Sequence, residues 1–329
     1  MKLQYEDRTR YCLPRRTYTI LRLDGKAFHT YTRNLEKPFD DKFEQDLDNA
    51  VRAILPEIQG AQFAYIQSDE ISILLTDFAE INTCAWFDGN IQKITSVAAS
   101  LMTAEFNKLR MRRKIYENKQ SNPCGLSQTY VDGCLRLEKC AYFDARVFTI
   151  SEPVEVYNYF VWRNKDTARN SLSSMAQSLY SIKELQGKNG REQHRMILLK
   201  NIDWEEFDPR HKFGRIISKK TEFMPPAFPN QKMRDAIEED PETFKEDFTF
   251  TRWKIESAWK FQESADRLQK LIPSLPQLSV PKVETVGGPE LEFTPKGVCS
   301  RSNKMSSELF KEIAKDCYPE YVSPYTKNP

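Results

Sequence analysis

The chain has little that would build a covalent or metal-stapled scaffold. Its seven cysteines (Cys12, Cys84, Cys124, Cys134, Cys140, Cys299 and Cys317) are odd in number, scattered, and form no C-x-x-C pair. That excludes a zinc ribbon or a disulfide framework and fits reduced thiols in the cytoplasm. No run approaches the roughly 18 apolar residues of a membrane span, and MKLQYEDRTRYCLPRR lacks the apolar stretch of a secretory signal. An excess of one charge is missing too. Lys and Arg total 49 against 47 Asp and Glu, a net charge of +2, so any nucleic-acid contact must come from local basic patches. There is no internal repeat and no low-complexity tract.

What is present suffices for a folded core. Hydrophobic residues make up 40% and aromatics 12% of the 329 residues, which argues against wholesale disorder. RTYTILRLDG (16–25) is rich in β-branched and aromatic residues and stops at Asp24-Gly25, the signature of a strand ending in a tight turn. DDKFEQDLDNAVRAIL (40–55) places Phe43, Leu47, Val51 and Ile54 at helical spacing, with Asp41 and Glu44 resembling a capping box. AQFAYIQ (61–67) and ISILLTD (71–77) flank Ser68-Asp69-Glu70 and predict a hairpin with acids at its bend. A second helix is expected from about Gly89 to Leu109 on the stripe Ile91, Ile94, Ala98, Leu101 and Met102.

Further along, 110–139 reads as an irregular insertion, opening on Arg110, Arg112, Arg113 and Lys114 and holding turns at Asn122-Pro123 and Asp132-Gly133. A strand is expected at 140–150 and a helical stretch at 154–185, with Leu172, Ala176, Leu179 and Ile182 inward. FGRIIS (213–218) reads as the last core strand. Residues 221–329 read as a looser extension with one helical island around 250–271. The expected organisation is 1–139, 140–220 and 221–329.

The informative pattern is strand–Asp–Gly, helix, then a hairpin bearing Ser-Asp-Glu. It predicts that Asp24 and Asp69 meet at the edge of one antiparallel sheet. Two carboxylates brought together repel unless a cation sits between them. Magnesium, a hard ion that prefers oxygen and keeps room for water and phosphates, suits them, and two such ions can serve nucleotidyl transfer. Gly25, Lys26, Ala27, Phe28 and His29 would form a turn whose N–H groups face phosphates, and Ser68 could bond another. Lys37 and Lys93 are point-charge candidates for a triphosphate, Arg146 and Arg163 fork-shaped ones. Asp40, Asp41, Asp46 and Asp48 read as a solvated helix face. Arg110–Lys114 reads as a soluble helix end, with RNA contact the alternative. His194 and His211 carry no pattern.

Several stretches resemble the tRNA-His guanylyltransferase family. ILRLDGKAFHTYTRNLEKPFD (20–40) is similar to its R-x-D-G-[RK]-x-F-H core followed by K-P-x-D, and YIQSDEISILL (65–75) to its Y-x-Q-S-D-E-x-S block. Lys93 falls where the family carries a lysine before a small-residue helix, FDARV (143–147) resembles its F-D-[GA]-R-V strand, and 162–174 the segment that begins W-R-x-x-D. The resemblance covers about 16–220. It implies an α+β, palm-like fold with helices packed on an antiparallel sheet, related to polymerases and nucleotide cyclases. It places two Mg2+ ions on Asp24, the Gly25 carbonyl and Asp69, with Glu70 as the acidic neighbour and Lys37 aiding activation of an RNA 5′ end. Nucleotide contacts would come from residues 24–29, Ser68, Asp69, Lys93, Arg146 and Asn170. The implied reaction adds nucleotides to the 5′ end of tRNA in the 3′-to-5′ direction, using GTP, ATP or other NTPs, in a homo-oligomer, often a tetramer.

One departure is informative. Where eukaryotic members read H-I-N-N-L-Y-N, this chain reads Ala168, Arg169, Asn170, Ser171, Leu172, Ser173, Ser174, and only Asn170 and Leu172 match. The chain is therefore more similar to the bacterial, archaeal and phage guanylyltransferase-like proteins, which repair 5′ ends by copying a template base. A nucleotide cyclase or other palm enzyme, and a non-catalytic RNA-binding protein, are the competing readings.

Overall fold

Ser68 and Asp69 form the two-residue bend of the central hairpin, with Ser68 in left-handed backbone at φ 47°. The computed structural model describes residues 1–121, 139–223 and 249–274. The strand β1 (Tyr18–Gly25) leads through a short helix α1 (Phe28–Tyr31) to α2 (Asp41–Ile54), then β2 (Ala61–Gln67), β3 (Glu70–Leu75), the long helix α3 (Ile91–Ser121) and β4 (Phe143–Ile150). Every pairing among these strands is antiparallel, in the order β4-β1-β3-β2. This is the β-α-β-β-α-β arrangement of the palm-like α+β fold.

The chain continues through α4 (Pro153–Leu179), α5 (Ile182–Leu185), α6 (Gly190–Leu198) and α7 (Pro209–Phe213). Then β5 (Arg215–Phe223) joins the free edge of β2, β6 (Thr249–Ser257) joins β5, and α8 (Ala265–Gln269) follows. The sheet thus has six strands among the described residues, in the order β4-β1-β3-β2-β5-β6.

Because side chains alternate across a strand, the sheet feeds two cores. Leu21, Leu23, Ile71, Ile73 and Ile66 pack beneath α2 and α3 with Leu47, Val51, Ile94, Ala98 and Met102. Tyr18, Ile20, Phe63, Tyr65, Leu74 and Ile216 pack on the other face against Val156 and Phe160 of α4 and against Phe261, Leu268 and Ile272. The second core ends where the polar residues of that face begin, at Arg22, Asp24 and Glu70.

Several expectations are corrected. Asp40, not Asp41, caps α2: its Oδ1 accepts from the Phe43 N–H at 2.7 Å. Of the acids expected on a solvated face, Asp41 is exposed but Asp46 and Asp48 are not. Asp46, Asp48 and Glu44 are buried, because arginines from elsewhere reach them: Arg110 and Arg113 bond Asp46 at 2.8–2.9 Å, and Arg215 bonds Asp48 at 2.6 Å. α3 runs on through the basic cluster 110–114 instead of giving way to a loop; the turns expected at 122–123 and 132–133 lie outside the described residues. Ile182 is exposed. At 249–257, in the expected helical island, the chain forms strand β6. The backbone alternation of TFTRWKIES follows its pairing with β5, and periodicity over so short a stretch does not separate the two alternatives. The sheet also takes strands from both sides of residues 139/140 and 220/221.

Candidate active site

The register of β1 and β3 sets the site. Asp24, the penultimate residue of β1, pairs with Glu70, the first residue of β3, so Asp69 stands immediately before that pair at the bend. Alternation along β1 puts Arg22 on the same face as Asp24, and pairing with β4 brings Arg146 opposite Arg22 and Asp144 opposite Asp24. A cavity of about 550 Å³ opens here, lined by Asp24, Ser68, Asp69 and Glu70 on the sheet side, by His29 from α1 and by Lys37 from the loop before α2. The two acids predicted to converge thus line one cavity at adjoining strand ends. Burial, and the charge of Asp24, push the Asp69 carboxyl above its ordinary range, against the pull of its own N–H and of the Ser68 hydroxyl.

Glu70 has a different environment. Its Oε2 lies 2.7 Å from Arg163 of α4 and also contacts Arg22. Arg22 reaches Asp24 at 3.9 Å, and Arg146 lies 3.6 Å from Asp24. Burial pushes the Glu70 carboxyl up while both guanidiniums oppose the shift. Arg163, expected as a fork for a triphosphate, is buried and committed to Glu70 and, at 3.2 Å, to Asp166.

The turn after β1 is only partly as expected. The Lys26 N–H donates to the Tyr142 carbonyl at 2.8 Å and so is not free for a phosphate. Ala27 is left-handed at φ 56° and its carbonyl accepts from Thr30 and Tyr31. Phe28 is a core residue. A Cβ on Gly25 would meet the Phe28 ring at 2.3 Å, so glycine is required there by the ring beneath it. His29 and Lys37 are exposed. Lys93 is not brought to this cavity. It sits over the Phe87 ring at 5.1 Å and lines a separate cavity of about 680 Å³ with Lys2, Arg10 and Asp88. Arg146 flanks Asp24 from outside, with an exposed side chain. Asn170, Ser171 and Ser174, from the segment that departs from the eukaryotic motif, line the cavity of Asp24 and Asp69.

Sequence reasoning missed Arg22, Arg210 and His211, which also line the cavity. Arg22 was legible, since it lies two residues before Asp24 in a strand. Arg210 and His211 arrive from α7, some 170 residues from α2 in the chain, with no local signal. Asp41, Glu44 and His211 bring one ligand atom each within 4.8 Å of one another, a spacing that suits a metal ion. Arg210 at 3.2 Å and Arg215 at 3.5 Å from Glu44 already balance that charge.

Comparison with known proteins bears on the family and the fold. A family profile described as tRNAHis guanylyltransferase matches residues 1–151. A bacterial tRNA(His) guanylyltransferase-like protein solved in complex with ATP is 30% identical, with a TM-score of 0.63 over 82% of this chain and 96% of that one. An uncharacterized protein of Acanthamoeba polyphaga mimivirus is 29% identical over 231 residues, 66% of this chain and 75% of that protein. The tRNA(His) guanylyltransferase of Debaryomyces hansenii is 29% identical over 194 residues, 58% of this chain and 64% of that one. No described helix is long and apolar enough to cross a membrane. The chain belongs to the tRNA-His guanylyltransferase family, and it is a nucleotidyltransferase of the kind that uses a divalent metal.

Proposed function

We propose that this enzyme extends the 5′ end of tRNA in the 3′-to-5′ direction and that Asp24 and Asp69 are its metal-binding acids. The observation that carries the proposal is the meeting of these two residues, from adjoining strand ends, at one cavity that Lys37, His29 and Ser68 also line. The donor set fits magnesium: hard carboxylate oxygens, with the Gly25 carbonyl at the same strand end, and an Asp69 carboxyl whose ionised form is disfavoured by burial and by Asp24. Magnesium held there would lower the pKa of an attacking hydroxyl and offset the triphosphate charge; two ions are proposed.

The remaining work is positioning. A 5′-monophosphate oxygen attacks the α-phosphorus of GTP or ATP and pyrophosphate leaves. The 3′-hydroxyl of an incoming NTP then attacks the activated 5′-phosphorus and the nucleoside monophosphate leaves. Lys37 supplies a cation for the 5′ end during activation, and Ser68 and His29 offer donors to phosphate oxygens. Lys93 and Arg146 stand apart from the cavity and would act on a second nucleotide or on the RNA strand. Glu70 holds Arg22 and Arg163. The segment with Asn170, Ser171 and Ser174 supports templated 5′-end repair, since base pairing then selects the nucleotide. A cytoplasmic homo-oligomer completes the reading.

The test is incubation of the protein with magnesium, labelled GTP or ATP and a 5′-truncated tRNA in which the opposing template base is varied. Extension that follows the template and vanishes in Asp69→Ala supports templated repair. Addition of G whatever base stands opposite supports non-templated guanylation, and a cyclic nucleotide formed without RNA would overturn the reading.

A further inference from the structure

The loop that carries Lys37 is held from three sides. Within the loop, the Glu36 N–H donates to the Asp40 carboxylate at 3.2 Å, and the other oxygen of that carboxylate caps α2 through Phe43 at 2.7 Å. From α7, the His211 ring stacks on Phe39 with centroids 4.4 Å apart and planes inclined by 7°. Phe207 closes on Phe39 edge-on at 6.3 Å. The His211 Nε2 lies 3.3 Å from Asp41 and 3.5 Å from Glu44, both on the first turn of α2. One imidazole therefore touches the loop on its face and the helix start on its edge.

We propose that His211 is a positioning residue, which fixes the 36–40 loop, and through it Lys37, against the cavity by stacking on Phe39 while anchored to Asp41 and Glu44. The inference rests on the role given to Lys37 above. Three features carry it. First, Lys37, Phe39 and His211 line the same cavity, so loop position is site geometry. Second, the stack joins elements distant in sequence, since Asp41 and His211 are 170 residues apart; neither local chain stiffness nor α2 alone supplies it. Third, the anchor responds to charge.

The groups facing the ring are Asp41 and Glu44 from α2 and its neighbour Arg210 in α7. Arg215 of β5 lies behind Glu44, and Asp48 accepts from Arg215 and lies 3.7 Å from Arg210. Burial alone would lower the affinity of His211 for a proton; pairing with Glu44 and Asp41 outweighs it and raises the pKa above the ordinary 6.5. As pH rises past that range the ring loses its charge and the anchor weakens, while the stack on Phe39 persists.

The test uses the full chain and two readouts. Backbone amide exchange over residues 33–40 reports loop order, and single-turnover activation of a 5′-monophosphorylated tRNA by ATP reports the consequence. His211→Ala is expected to speed exchange in this loop and to lower the activation rate by about tenfold, the scale on which a misplaced group acts, with KM for ATP changing less than the rate. His211→Arg, planar and permanently charged, should recover most of the rate and lack the decline at alkaline pH expected of the wild-type enzyme. Phe39→Leu should reproduce the His211→Ala loss, and the double variant should be no worse than either alone.

Unchanged exchange and rate in His211→Ala would overturn the inference. So would full additivity of the two substitutions, or a rate loss that His211→Arg fails to recover. Lys37→Ala separates the premise: if it transfers normally while His211→Ala still loosens the loop, the role of Lys37 is wrong and the positioning contact remains.

Discussion

Asp24 and Glu70 face each other across the β1–β3 ladder, and Arg22 lies against both, yet the two carboxylates are not equivalent. Glu70 is gripped by Arg22 and Arg163, whereas among the described residues the ion-pair contacts of Asp24 are longer, 3.9 Å to Arg22 and 3.6 Å to Arg146. A carboxylate saturated by guanidiniums is a poor metal ligand; one held loosely by them is available. The same register pair thus holds one acid locked between two arginines and one held at longer range, the difference expected between a structural acid and the metal ligand proposed above.

Glu70→Gln should therefore damage stability first. It leaves Arg163 buried with less compensation, and breaking a buried ion pair from one side costs about 3–5 kcal/mol. Chemical denaturation should show the loss at neutral pH. A variant as stable as the wild type but inactive would instead place Glu70 in the chemistry.

Asp69→Asn should do the reverse. The folded protein holds a proton on Asp69 more tightly than the unfolded chain does. The ionised form is then a burden that grows as pH rises past the ordinary carboxylate value of 3.8. The neutral amide should match or exceed the wild type in thermal stability without metal, lose the magnesium-dependent rise in melting temperature, and lose transfer. Retained transfer would remove Asp69 from the site.

Asp48→Asn should unfold the protein more readily while leaving the cavity acids in place. Arg215 is buried and its Nε bonds Asp48 at 2.6 Å. A penalty of about 3–5 kcal/mol is expected by urea titration, partly offset because Glu44 stays within 3.5 Å of the same guanidinium.

The basic end of α3 should prove structural. Arg110 and Arg113 are both spent on buried Asp46, so Arg113→Ala should lower the melting temperature while the salt dependence of tRNA binding keeps its slope. A slope reduced by about one unit would mark a phosphate contact.

The pH dependence of stability should carry the mark of His211 and Glu44. Burial raises the Glu44 carboxyl, but His211, Arg215 and Arg210 outweigh it and hold it below 4.5. Its contribution is present above that value and fades as pH falls through the folded pKa. The contribution of His211, raised above 6.5, is present below 6.5 and fades as pH rises through its own. The pair should stabilise most between about 4.5 and 6.5. Thermal unfolding of wild type and His211→Ala across pH 4–9 should show the gap narrowing on both sides.

Much of this was legible in the sequence, for physical reasons. β-branched runs broken by Asp24-Gly25 and by Ser68-Asp69 predicted the strands and the bend, and so the meeting of Asp24 and Asp69. Alternation, taken one step further, would have given Arg22. What stayed hidden was long-range compensation. Nothing near Asp46 or Asp48 announces that arginines 64 and 167 residues away bury them, so a run of acids read as solvated. β6 was missed because a single edge strand beyond a Pro-rich stretch has no turn linking it visibly to its partner. Lys93 was grouped with the site by motif order, which does not encode which cavity a side chain enters.

The two strands appended beyond α7 set a limit on dissecting this enzyme. A fragment ending at residue 220, where recognisable motifs stop, would lose the outer neighbour of β5 and strip Ala258, Phe261, Leu268 and Ile272 from Tyr65 and Phe160. Tyr65 sits three residues before the Ser68-Asp69 bend and, through its hydroxyl, ties Thr167 of α4 to the carbonyl of Phe213. The shortest piece that keeps this core whole therefore extends at least through Ile272, just beyond α8, well past the last motif by which the chain is recognised.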